Sequence, residues 1–481
     1  MPALVSEAAA AAATGSVLSS DPDLHLLRRA TFGQTPALLA DIRARGATAW
    51  LEDQLYPARI DDSAMDLLLQ KFPLLNASLT ELNKLAQPRT AGTGLIAATL
   101  ARQIWSRRQL FEVMVDFWSN HLNVLTLTSG THLTKPIEDR AVIRPHAMGR
   151  FENMLLADAK SPAMLRYLDN TDSRIPQPIE NYGRELLQLH TVTPQAGFTE
   201  ADVKNSALIL TGRCVTLDGQ FVYKPEVHYV GPVRVLGWSS ANASASAGLN
   251  TSDGYLRYLA RHEQTALSLS RKLAIRFVSD NPPQSLVDHL AEVFLDSGTA
   301  IIPWLRALFR SPEFAASVGK KTRRPLEDIV ASVRALSIQP PSGPSTADID
   351  LLVTDAAKLS MQPLEAFDPT GYSDSADGWW SIGGMLGRCN WHRRVSRGHP
   401  AGLYRPPLGS LLAGPPMATH GAMADRLAVS LTGQTFRPEH REALLGFAGM
   451  TSAQPFNQIK VDRWLKDFAE LVLNSPYSVL R

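Results

Sequence analysis

Cysteine is scarce: Cys214 and Cys389 are the two in 481 residues, and neither belongs to a C-x-x-C pair. That excludes a disulfide scaffold and a zinc knuckle, leaving a reduced compartment as the simpler setting and one long-range disulfide as the alternative. Cys214, inside LILTGRCVTL, reads as a small buried hydrophobe. Charge of one sign is also lacking. With 48 Lys and Arg against 46 Asp and Glu the formal charge is +2, a field too weak to mark nucleic acid or an anionic membrane as the main partner. No apolar run reaches the roughly 20 residues of a membrane span. The opening MPALVSEAAAAAATGS has no Lys or Arg ahead of its alanines and so lacks the charged region of a secretory signal. Residues 1–20 are therefore expected to be a disordered lead-in, and the location to be cytoplasmic. G-x-G-x-x-G, G-x-x-x-x-G-K-[ST], H-E-x-x-H and G-x-S-x-G are all missing, which removes the common nucleotide, zinc-protease and serine-hydrolase readings.

What is present is helical spacing. LHLLRRATFG follows Asp21 and Pro22 and stops at Gly33, and Thr35-Pro36 opens the next helix. LIAATLARQIWSRRQLFEVMVDFWSNHLNVL predicts one long central helix with apolar residues on nearly every turn. RPHAMGRFENMLLADAKS, AMLRYLDN and ENYGRELLQLHTV continue in the same way, and Thr199 with Asp202 forms a capping arrangement ahead of another helix. Between about 216 and 250 the pattern alternates around Asp218-Gly219, which predicts a small β-hairpin followed by a flexible loop and a sub-lobe boundary. The expected fold class is mainly α: a multi-helix globular domain over 21–481 with long inserted loops and no repeat.

Taken together, LLRRATFG, DFWSNHLNV, RPHAMGRFENMLLADAKSPAMLRYLDN, ENYGRELLQLHTV, FTEADV, LTGR, RKLAIRFVSDNPP and SPEF resemble the bacterial family of domain of unknown function 1800, from about Asp23 to the C-terminus and in the family's order. The resemblance implies a shared fold and a shared site region rather than a known reaction, with some members exported beside a sulfatase-like partner. Three strings depart from the family pattern. HEQT stands at His262 in place of His-Pro-Ala-Thr, His228-Tyr229 in place of His-Asp, and ENYGRELLQLHTVT in place of an ENYARELLELHTLG-like string. The block from Phe117 to His190 stays closest.

That block carries the candidate residues. His121 follows Trp118 by three positions and should share its inward face, as a working imidazole or a satisfied core histidine. Asp116 and Asn120 read as a solvated edge. Arg140 and Arg144 lie four apart and point one way, as a grip for a carboxylate, phosphate or sulfate or as a salt-bridge ladder with Glu138 and Asp139. His146 follows Pro145 at a helix start and is placed to meet a ligand there. In ENYGRELLQLH, Glu180 pairs with Arg184; Glu185, beside Leu186 and Leu187, is desolvated toward the pKa of a general acid, or else pairs with Arg184 in a structural contact. His190 lies five residues after Glu185, about 140° round an ideal helix, so a joint site needs a bend, which Pro194 makes available. Asp169 sits at a helix C-terminus, where a carboxylate needs a partner. The loop Asn170–Pro178 would close over the pocket. Trp379 and Trp380 would supply an aromatic wall, or pack.

The leading expectation is a hydrolase acting on a saccharide or other small molecule. Glu185, Asp169, His121 and His190 are its catalytic groups, and Arg144, His146, Arg184, Trp118 and Trp379 its substrate contacts. The alternatives are a metalloenzyme holding a divalent metal on histidines and a carboxylate, and a non-catalytic scaffold that partners a second enzyme.

Overall fold

The computed structural model describes residues 16–128 and 130–481. Helices take up 61% of it, and the strands among the described residues form two small antiparallel pairs, so the fold is mainly α. The lead-in expected over 1–20 lies outside the described residues as far as 15; beyond that, Val17 and Leu18 are buried in the core. One continuous apolar cluster runs from these residues to Tyr477, with a smaller one around Met65, Phe72, Leu95 and Ile349.

Local chemistry explains the element ends. Asp21 caps Pro22–Ala30 by accepting from the Asp23 and Leu24 amides, Thr35 caps Pro36–Arg45, and Thr199 with Asp202 closes a reciprocal capping box on Glu200–Leu210. The expected long central helix is in fact two, Arg89–Trp105 and Gln109–His121. The break lies at Ser106–Arg108. There the Asp62 carboxylate accepts from Ser106 Oγ at 2.6 Å and from the Arg107 amide at 2.8 Å. A carboxylate 44 residues away thus supplies partners that helix continuation would have used.

The predicted hairpin forms as β1 (Arg213–Val215) and β2 (Phe221–Tyr223), paired Arg213 to Tyr223. Gly219 turns between them at φ +88°, a conformation open to glycine. The stretch expected as a flexible loop holds a second hairpin, β3 (Val233–Val235) and β4 (Trp238–Ser240). Its Val233 and Val235 are buried in the main core against Glu200–Leu210. Cys214 is buried in β1, Cys389 is exposed, and both are free thiols. Among the described residues no helix is long and apolar enough to cross a membrane.

Candidate functional site

The helix Gln109–His121 turns one face into the core. Trp118 is fully buried, stacks on Phe151 at 5.5 Å and donates from Nε1 to the Ala147 carbonyl at 3.2 Å; it is a packing residue, not the substrate contact expected. The opposite face is only partly exposed, because its polar side chains are engaged. Asp116 pairs with Arg324 and Arg276. Asn120 donates to the Tyr372 carbonyl at 2.8 Å and accepts from the Tyr372 amide at 2.6 Å. Asn123 donates to the carbonyls of Ala366 and Asp368 at 3.0 and 2.8 Å. The expected solvated edge is therefore the anchorage of the 362–376 segment, which crosses the end of this helix.

His121 is buried at the centre of this arrangement. Its Nε2 donates to the His190 carbonyl at 3.1 Å, and because that oxygen can only accept, Nδ1 keeps the lone pair and accepts from Lys272 Nζ, 3.1 Å away. The two imidazoles stand 6.3 Å apart. Burial, the Lys272 charge and His190 hold the His121 pKa well below the usual range, and burial with Lys272 pushes His190 down to about 3. Both rings stay neutral at ordinary pH, His190 with its Nδ1 buried and unpartnered. Lys272 lies on Glu263–Phe277; burial pushes it down to about 8 against the opposing pull of Asp374. Sequence reasoning missed Lys272, because nothing in RKLAIRF signals a partner 151 residues earlier.

The bend needed near His190 is present as a π-turn over Leu186–His190, closed where Thr191 Oγ1 donates to the Leu186 carbonyl at 2.5 Å. It does not join Glu185 to His190. Glu185 feels Arg184 and Asp368, whereas His190 packs beside His121 and Tyr182, so the two fall into different surroundings. Glu185 keeps Oε2 buried without a hydrogen-bond partner. Burial raises its pKa and the Asp368 carboxylate adds to the rise, while Arg184 offsets part of it. Tyr167 borders the same two carboxylates, and its hydroxyl pKa is raised by burial and then by Asp368 and Glu185.

Asp169 takes the left-handed conformation at φ +60°, and Oδ2 accepts from Asn181 Nδ2 at 3.2 Å. The partner it needed is an amide one helical turn before Glu185. The helix Asn181–Glu185 sits very close to Glu200–Leu210: a Cβ on Gly183 would lie 2.7 Å from the Ala207 nitrogen, so the glycine that departs from the family's alanine permits the approach. The loop that was to close over a pocket is itself tied down, since buried Asn170 donates to the carbonyls of Leu210 and Arg213.

The remaining expected substrate contacts are occupied elsewhere. Arg144 forks onto Glu112 at 2.7 and 3.1 Å and lies over the Phe111 ring, neither clamp nor ladder; Arg140 donates to the carbonyls of Leu75 and Ala77. Arg184 pairs with Glu180, as expected, and with both oxygens of Glu200 at 2.8 Å. His146 is partly buried at the end of the three-residue turn Arg144–His146, and burial lowers its pKa. Trp379 donates to the Ser373 carbonyl and packs on Tyr372, so it braces its own segment; the aromatics that project there are Trp380, 41% exposed, and Phe367, 88% exposed. The histidines at the other two family departures are structural. His228 is held between the Thr211 carbonyl and Asn242, and His262 accepts from the Gln264 amide at its own helix start. Among the described residues no group of three or more His, Cys, Asp or Glu side chains is placed to hold a metal ion.

A family model described as a protein of unknown function (DUF1800) matches residues 25–479. The chain belongs to the DUF1800 family. No curated protein and no solved structure matches it. The match takes in both the His121–Lys272 contact and the Glu185 carboxyl, so each is a feature of a DUF1800 chain rather than of an appended segment.

Proposed function

We propose that this DUF1800 protein is a hydrolase that cleaves a glycosidic bond with Glu185 as general acid, Asp368 as its charged counterpart, and Asp169, which meets Asn181 one helical turn before Glu185, as a further catalytic carboxyl. The observation that carries the reading is the state of Glu185: one oxygen buried without a partner, and a pKa raised by burial and by Asp368. A general acid works from its protonated form, which a raised pKa favours, next to a second carboxyl that stays ionised. Asp368 meets the second requirement, since the Thr370 hydroxyl and amide lower its pKa. Phe367 beside it offers an open aromatic face, the surface on which a sugar ring stacks.

The test is reducing-end release from a panel of chromogenic glycosides and polysaccharides. Release by the unmodified protein that is lost in Glu185→Gln, with helix content preserved, is the expected result. No release from any member of the panel, or equal release by the variant, would overturn the reading.

A further inference from the structure

The carboxylate whose charge acts on Lys272, Asp374, is already committed to a shared cluster. Arg276, one turn further along the same helix and buried, pairs with Glu327 at 2.5 Å, with Asp374 at 3.1 Å and with Asp116 at 3.4 Å. Arg324 engages Asp116, Glu327 and Asp374 as well, and Arg481 reaches Glu327 at 2.6 Å. Three guanidiniums thus share three acids. Lys272 forms no carboxylate pair within 4.0 Å among the described residues, and its hydrogen bond goes to the neutral Nδ1 of His121. Only the shared Asp374 carboxylate and the His121 acceptor favour its ammonium form, and burial outweighs them.

We infer that Lys272 is a nucleophilic amine that condenses with small aldehydes or ketones, its Nζ positioned by the neutral imidazole of His121. One N–H is held by His121 Nδ1, which leaves the lone pair of the free amine for attack. That pair forms the bond from Nζ to the carbonyl carbon while the carbonyl π pair moves to oxygen, which takes a proton. The nitrogen then loses one proton to water to give the neutral carbinolamine, its hydroxyl takes a further proton and leaves as water while the nitrogen lone pair closes the C=N bond, and the iminium releases its second N–H proton to water. Amine and carbonyl give imine and water, with no net oxidation or reduction. Burial and the Asp374 carboxylate set the protonation of Lys272; His121 and His190 face it as neutral rings, and Arg276 stands one turn along the same helix. Burial depresses the amine to about 8, which leaves far more free base at neutral pH than an ordinary lysine with a pKa of about 10.4.

The experiment treats the full chain with glycolaldehyde and sodium cyanoborohydride near neutral pH, then maps the reduced adducts by peptide mass spectrometry. It does not depend on hydrolysis, so it stands or falls apart from the glycosidase reading. Lys272 is expected to be labelled at least about tenfold faster than the exposed Lys204 and Lys466, with a rate that rises through a midpoint near 8. Lys272→Arg should remove that adduct alone. In His121→Gln the labelling of Lys272 should slow as Nζ loses its fixed placement, while Lys204 and Lys466 keep their rates. Labelling of Lys272 no faster than Lys204, or a midpoint in the ordinary lysine range in the unmodified protein, would overturn the inference, whether or not the His121 variant folds.

Discussion

Glu185 and Glu327 are the same side chain in opposite circumstances. Glu327 is buried among Arg276, Arg324 and Arg481; burial alone would raise its pKa, but the three guanidiniums hold it well below the usual carboxylate range. Glu185 has one flexible arginine beside it, shared with Glu180 and Glu200, and its pKa goes up. Burial pushes both carboxyls the same way, so the number and placement of fixed cations decide the direction. A carboxyl saturated with cations holds elements together, whereas one left partly desolvated and unpaired is available to exchange a proton.

The sharpest way to break this contrast is Glu327→Gln. It leaves three buried guanidiniums without their shared acid and should cost about 3–5 kcal/mol of stability in denaturant unfolding, or prevent folding. The sign with pH follows from the depressed pKa: the stabilisation by Glu327 is complete above its unfolded value, near 4.3, and fades as pH falls through the folded one. Glu185→Gln should do the reverse. Stability should change by less than about 1 kcal/mol, while hydrolysis should fall at least about 100-fold in an initial-rate assay. Because its pKa is raised, wild-type activity should decline as pH climbs through that value, and stability should fall slightly over the same window, since the folded state there binds the proton more tightly.

Asn123→Ala comes next. It strips the donor from the Ala366 and Asp368 carbonyls and should cost about 1–3 kcal/mol by thermal unfolding, with Phe367 and Asp368 losing their fixed placement. The smallest effect is predicted for Phe367→Ser. Stability should stay within about 0.5 kcal/mol, and KM should rise by roughly 2–10-fold with kcat little changed, matching the loss of one stacking contact.

Much of the fold was readable from local pattern. The caps at Asp21, Thr35 and Thr199, the turn at Asp218-Gly219 and the inward face of Trp118 depend on neighbours a few residues away. The bend at His190 was legible too, because five-residue spacing cannot place two side chains together on an ideal helix, although Glu185 and His190 still face different surroundings on the π-turn that supplies it. What escaped the sequence depends on distant partners. Asp62 breaks a helix that periodicity would continue, Glu112 takes the guanidinium that seemed free on Arg144, and Lys272 meets His121 across 151 positions. In the candidate site, Glu185 announced itself through its apolar neighbours, while Asp368 and Phe367 lay in a segment without periodicity and gave no signal until Asn123 fixed their place.

Those asparagine contacts also have a consequence on the time axis. The Tyr372 amide donates to Asn120 Oδ1, and Asn120 lies in the last helical turn, whose Leu122 amide closes onto the Trp118 carbonyl. The segment and the helix end therefore share their protecting bonds. In native-state hydrogen exchange the Tyr372 and Leu122 amides should open together as one cooperative unit, so that any ligand which orders the segment also slows exchange beside His121.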